Sequence, residues 1–177
     1  MTDCKQSTFE FQGLGRKHVT VNFNGGYLSS DGGGLFLRQV ESRHRIIANL
    51  SKCFVDYRNP LLIEHPVSSL LAQRIHGLAL GYEAVNDHDR LRLDPVHALL
   101  AGKKDVLGSN RMHQADKGKA LAAHATLHRL DKSAHCIDAR YCKIQAQADK
   151  IEALLIDEAV KALPRNSRGG CKINCVN

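Results

Sequence analysis

Tryptophan is absent and aromatic residues make up only 5% of the chain, so any core must be built mostly from Leu, Ile, Val and Ala. No apolar run approaches the roughly 18–20 residues that cross a bilayer, and the polar opening MTDCKQST lacks the apolar centre of a secretory signal. These absences predict a chain with no membrane partner that stays in the cytoplasm. Cytoplasmic thiols are normally reduced, so Cys4, Cys53, Cys136, Cys142, Cys171 and Cys175 need not be read as a disulfide framework. There is no internal repeat and no low-complexity segment. The glycine cluster Gly32-Gly33-Gly34 is not part of a GxxxxGK[ST] pattern and no Lys follows it, which favours a helix start over a phosphate cradle.

What remains is globular in composition, with 43% hydrophobic and 24% charged residues over 177 positions, enough for one ordinary domain. The net charge of +7 is unevenly spread. Residues 1–101 hold eleven Lys/Arg against ten Asp/Glu, whereas residues 102–150 hold ten against five. A cationic patch attracts polyanions by counterion release, and nucleic acid is the commonest such partner; a merely soluble basic surface has the same composition.

The opening residues alternate apolar and polar at Phe9-Glu10-Phe11 and at Val19 to Phe23, which predicts a β-hairpin joined through GLGRKH. Ser30 or Asp31 is placed to cap a helix running through LFLRQVESRHRIIANL. From Pro66 the spacing of Val67, Leu70, Leu71, Ile75, Leu78, Ala79 and Tyr82 predicts an amphipathic helix, with Arg74 and His76 off or beside its stripe. Gly77 and Gly81 there imply close packing or an ending. Asp94-Pro95 reads as a cap and first residue of a short helix. Residues 102–116 read as a basic loop, GKALAAHATLHRLDK as a helical stretch broken near Ala125-Thr126, and Gln145 to Leu163 as a last helix that Pro164 ends. The tail RNSRGGCKINCVN has no apolar period and should be loose.

Three constellations could carry chemistry. Glu83, Asp87, His88 and Asp89, with Asp94 nearby, could serve a small metal-dependent nuclease; the plainer expectation is solvated charge, with Asp87 or Asp89 capping or pairing with Arg90 and Arg92. His124 and His128 share a helix face ahead of His135, Cys136 and Cys142, but these spacings match no common zinc pattern. Cys and His residues are present without the local motif of a hydrolase. The reading is no catalytic residue and no metal ligand within the chain.

Several blocks, in order, carry a resemblance: SSDGGGLFLRQVE (29–41), FVDYRNP (54–60), EHPVSSLLAQRIHGLALGYEAVNDHDRLRLDP (64–95), GKALAAHATLHRL (118–130) and DARYCKIQAQADKIEALLIDEAVKALPR (138–165). The chain resembles the amino-terminal part of DDE-type transposases of bacterial insertion sequences. The resemblance implies a helical region ahead of a ribonuclease-H-like domain whose three carboxylates hold two divalent ions, Mg in the intact family, for strand cleavage and transfer. It puts the first of those acids shortly after the segment matching KALPRNSR. Here the chain reads GGCKINCVN, without a carboxylate from residue 169 on, which predicts truncation before the catalytic aspartates.

The expected fold is therefore mainly α with a small N-terminal β-hairpin (α+β) and no ribonuclease-H-like catalytic domain. The expected organisation is a hairpin over 1–28, a helical core over 29–101, a basic loop and helical region over 102–165, and an aberrant tail over 166–177. The expected function is binding of terminal-inverted-repeat DNA and assembly of a transposition complex, with full-length transposase or itself, without strand transfer and without a cofactor. Lys103, Lys104, Arg111, Lys117, Lys119, Thr126, His128 and Arg129 are the candidate DNA contacts, cations meeting phosphates and Arg129 or His128 reaching a base edge. The alternative is a basic, non-catalytic protein-interaction module.

Overall fold

The computed structural model describes residues 9–14, 17–21, 29–134 and 142–163; the expected tail over 166–177 lies outside them. The chain is mainly helical with two small antiparallel sheets. Strands β1 (Phe9–Leu14) and β2 (Lys17–Val21) form the expected hairpin, with Phe9 opposite Val21 and Phe11 opposite Val19. The second sheet was not foreseen. Strand β3 (Phe54–Asp56) pairs with β4 (Ile144–Ala146), tying residues nearly ninety positions apart. Each strand is three residues long, too short for an alternation to register.

The stretch expected to be one helix after the glycines is two, α1 (Gly34–His44) and α2 (Ile46–Ser51). Arg45 stands between them at φ 55°, a left-handed conformation that ends α1. The buried carboxylate of Glu41 then turns forward to accept the backbone N–H groups of Ile47 at 2.9 Å and Ala48 at 3.0 Å, capping α2. Neither Ser30 nor Asp31 caps α1, whose start carries no side-chain cap. The Asp31 carboxylate is used elsewhere.

Helix α3 (Val67–Ala79) is the central element; α2, α5 (Pro95–Leu100) and α6 (His124–Asp131) pack on it. Its inward face differs from the apolar stripe. Val67, Leu70 and Leu71 are buried as expected, but farther along the buried residues are Gln73, His76 and Gly77, while Leu78 is 46% exposed. The cause is His88, wholly buried at the start of the one-turn helix α4 (His88–Leu91): a Cβ at Gly77 would lie 2.7 Å from its ring. Gly77 thus permits a close approach, and Gly81, at φ +93°, ends the helix region. Asp94 caps α5 by accepting from Val96 N, with Pro95 in the first turn, as the sequence predicts.

Leu70, Ala98, Leu100, Leu121 and Leu127 are inaccessible at the centre of this packing. Helix α7 (Ala148–Ala162) is different: fifteen residues long, it buries none of them. Cys53 is a buried free thiol, and Cys142 is disulfide-bonded. No described helix is long and apolar enough to cross a membrane.

Candidate nucleic-acid interface

Helix α6 begins at His124, later than the sequence pattern suggested, and is unbroken at Ala125-Thr126. Leu127 and Leu130 face the core, leaving His124, Ala125, His128 and Arg129 exposed. The helix is held at three points by the block 64–95. The buried side-chain amide of Gln73 donates to Ala122 O at 2.9 Å and accepts from Ala122 N at 3.0 Å, gripping the backbone just ahead of the helix as a neighbouring strand would. Asp89 accepts from His124 N at 3.2 Å and from His124 Nδ1 at 2.7 Å, covering the exposed first turn. Those bonds, the backbone one first, hold the Asp89 carboxyl below its ordinary range. Arg74 pairs with Asp131 at 3.3 Å at the other end.

Beside α6 lies a cleft of about 420 Å³ whose described lining includes Arg58, Thr126, Arg129, Lys132, Lys143 and Ile144. With Cys142 the described lining residues number seven, of which four are cations and none is acidic. Arg58 is committed, donating to both oxygens of Asp56 (2.8 and 2.7 Å) and to His65 O (3.0 Å). Arg129, Lys132 and Lys143 are exposed. Lys143 escaped the sequence reading because sequence distance hides that β4 (Ile144–Ala146) returns beside α6; Lys132, the residue that ends α6, was not among the expected contacts either.

The other candidate cations sit in a different setting. Within residues 103–119, Lys103 and Arg111 point inward. Arg111, its side chain 10% exposed, pairs with Glu64 at 2.9 Å and donates to His65 Nε2 at 2.7 Å and to the carbonyls of Lys119 and Leu121. Arg92 pairs not with Asp87 or Asp89 but with Asp116, at 2.7 Å. Because Arg111 can only donate, Nε2 of His65 carries the lone pair and Nδ1 the proton. That proton faces Lys103 Nζ at 2.7 Å, a contact that is a hydrogen bond only when the amine is neutral. Burial, reinforced by Arg111, pushes Lys103 down to about 8, so the amine becomes the neutral acceptor only above that pH, and burial beside Lys103 and Arg111 pushes His65 down to about 3. Asp105 fastens the turn, accepting from Leu107, Gly108 and Asn110 N–H groups and from Ser109 Oγ, with a carboxyl lowered to about 2. Lys104 and Lys117 are exposed, and Lys119 donates to Ala115 O at 2.9 Å.

A family model described as transposase DDE domain group 1 matches residues 11–168. The chain belongs to that transposase family. No curated protein and no solved structure matches it.

This family implies divalent metal ions, and the described residues of this transposase-family chain can be tested for them. Among those residues, one set brings three ligand atoms within 4.8 Å of one another: Asp31, Asp94 and His97. Its atoms are already bonded. Asp31 Oδ2 accepts from Tyr82 OH at 2.8 Å and His97 Nε2 at 2.9 Å. Asp94 accepts from Ser29 Oγ at 2.7 Å and Val96 N at 2.7 Å. A metal on Nε2 would shift the His97 proton to Nδ1, which is buried without a hydrogen-bond partner. The set does not fit a divalent cation. It fits a structural role: burial would raise the Asp31 carboxyl, but the bonds from His97 and Tyr82 outweigh it and hold it low, pinning residues 29–34 onto α3–α5. Glu83, Asp87 and Asp89 form no ligand set among the described residues, Asp89 being bonded to α6. Of the zinc candidates, His124 is bonded to Asp89, while His135, Cys136, Cys171 and Cys175 lie outside the described residues.

Proposed function

We propose that this transposase-family chain binds DNA through the outer face of α6 and the basic rim beside it, and contributes to assembling a transposition complex without itself cutting strands. The carrying observation is the contrast in how α6 is held: its inner face and both ends are fixed by Gln73, Asp89 and Arg74, while Arg129 and His128 stand exposed next to Lys132 and Lys143. A rigid support under exposed cations is what phosphate positioning requires. His128 and Arg129 are the residues that remain best placed for contact with a duplex, Thr126 is half-buried in the wall of the cleft, Lys104, Lys117 and Lys119 lie on the neighbouring loop, and Lys103 and Arg111 act on DNA only through the loop they hold. Anisotropy titrations against element-end and unrelated duplexes should give binding that weakens steeply as salt rises. No metal-dependent nicking is expected; nicking abolished by Asp87→Ala and Asp89→Ala would overturn the non-cutting half of the reading.

A second reading is carried by α7, where Leu155, Ile156 and Val160 are 58, 48 and 43% exposed. That face suits a protein partner, a further transposase copy among them. Association there should persist or strengthen as salt rises, the opposite of DNA binding.

A further inference from the structure

The cleft beside α6 is concave, and a duplex is the wrong shape to fill it. Its volume, about 420 Å³, falls within the range of roughly 300–1,000 Å³ typical of sites that enclose a small molecule. A duplex keeps its bases stacked inside, so it can touch the rim with phosphates but leaves the interior empty. A strand with an unpaired base can splay that base out of the stack. The lining divides accordingly. Ile144, itself buried, and the half-buried Thr126 offer apolar surface, whereas Arg129, Lys132 and Lys143 are exposed cations. Arg58 is held in the wall by Asp56 and the His65 carbonyl. No Asp or Glu is among the described lining residues.

We propose that this cleft takes one unpaired nucleotide of a DNA strand, its phosphate among Arg129, Lys132 and Lys143 and its base against Thr126 and Ile144. This rests on the DNA-binding reading and narrows it to a substrate class: DNA with a single-stranded or frayed position. Among the described lining residues there is no carboxamide, and the exposed cations are taken up by the phosphate, so discrimination by base edge is weak.

The test compares a fluorescent oligothymidylate strand with a blunt duplex of the same length, each competed by thymidine monophosphate. The strand should bind more tightly, and the monophosphate should displace it at concentrations that leave the duplex bound. Thr126→Phe, which fills the cleft without removing a cation, should weaken strand binding about tenfold and duplex binding far less. Equal strand and duplex affinities with no selective competition overturn the cleft proposal and leave the DNA reading intact, as does a folded Thr126→Phe chain with both affinities unchanged. Binding to neither form overturns both. The competition uses the unaltered chain, so it decides the matter even where Thr126→Phe fails to fold.

Discussion

The loop over 103–119 and the helix α6 look alike as sequence, both rich in Lys, Arg and His, yet they place their charge in opposite directions. The loop turns Lys103 and Arg111 inward onto His65 and Glu64, and Arg92 reaches Asp116 from below. Helix α6 turns Leu127 and Leu130 inward and leaves His128 and Arg129 outside. The difference follows from periodicity. A helix must put its apolar residues on one side, so its cations are driven to the other. A loop has no such constraint and must satisfy its backbone by other means, here with the carboxylates of Asp105 and Glu64 and the guanidinium of Arg111. Basic composition therefore measures potential for DNA contact only where the backbone forces the charge outward.

The sharpest way to break that contrast is Arg111→Ala. It leaves Glu64 without its guanidinium and strips the carbonyls of Lys119 and Leu121 of a donor, while Asp116 keeps Arg92. Removing one partner of a largely buried pair costs about 3–5 kcal/mol. Chemical denaturation should show a loss of that order. A change below about 1 kcal/mol would mean the loop is not held as described.

Gln73→Ala comes next and acts on α6 from the inside. Both polar groups of Ala122 lose their partner in a buried setting, at a cost of about 2–3 kcal/mol. It should weaken DNA binding only through loss of folded chain. DNA affinity measured under conditions where the variant remains folded should match the parent; a large residual deficit would make Gln73 itself part of the interface.

Titration separates the two regions without a substitution in α6. His65 is held near 3 and His88 near 4, in each case chiefly by burial, so the folded chain keeps these rings neutral while the unfolded chain protonates them at ordinary values. The unfolded state then binds more protons, and stability falls as pH drops from about 6.5 toward 4. Lys103, held near 8, acts in the same sense at the alkaline end: stability rises between about 8 and 10.5 as the unfolded amine alone retains its proton. Melting temperatures at pH 5, 7 and 9 should rise in that order, and Lys103→Met should flatten the upper step. An unchanged upper step would show that the amine is not neutral against His65.

Much of this architecture is legible from the residues. The hairpin, the long helix after Pro66 and the Asp94-Pro95 start follow from alternation, stripe and capping chemistry. The misses share one physical cause: they depend on contacts distant in sequence. His76, expected off or beside the stripe, is buried, and Gln73 sits inside because α4 and the backbone ahead of α6 come to meet it. Asp31 looked like a cap and is instead bonded to Tyr82 and His97, fifty or more positions away. Lys143 could join Arg129 as a candidate only once β4 was known to pair with β3.

The smallest expected effect on stability is also the one that tests the outward half of the contrast. Arg129 is exposed on a helix whose other face is anchored, so Arg129→Gln should change the folding free energy by no more than about 0.5 kcal/mol. If its guanidinium meets a phosphate, the same substitution should reduce the slope of log affinity against log salt by about 1, and Lys132→Gln should do likewise. Lys117→Gln, exposed on the loop, gives the comparison its edge. A slope change there equal to that of Arg129 would extend the interface across the loop. No change at Arg129 or Lys132 would remove α6 from it, since exposure without a phosphate partner leaves these cations as ordinary solvated charge.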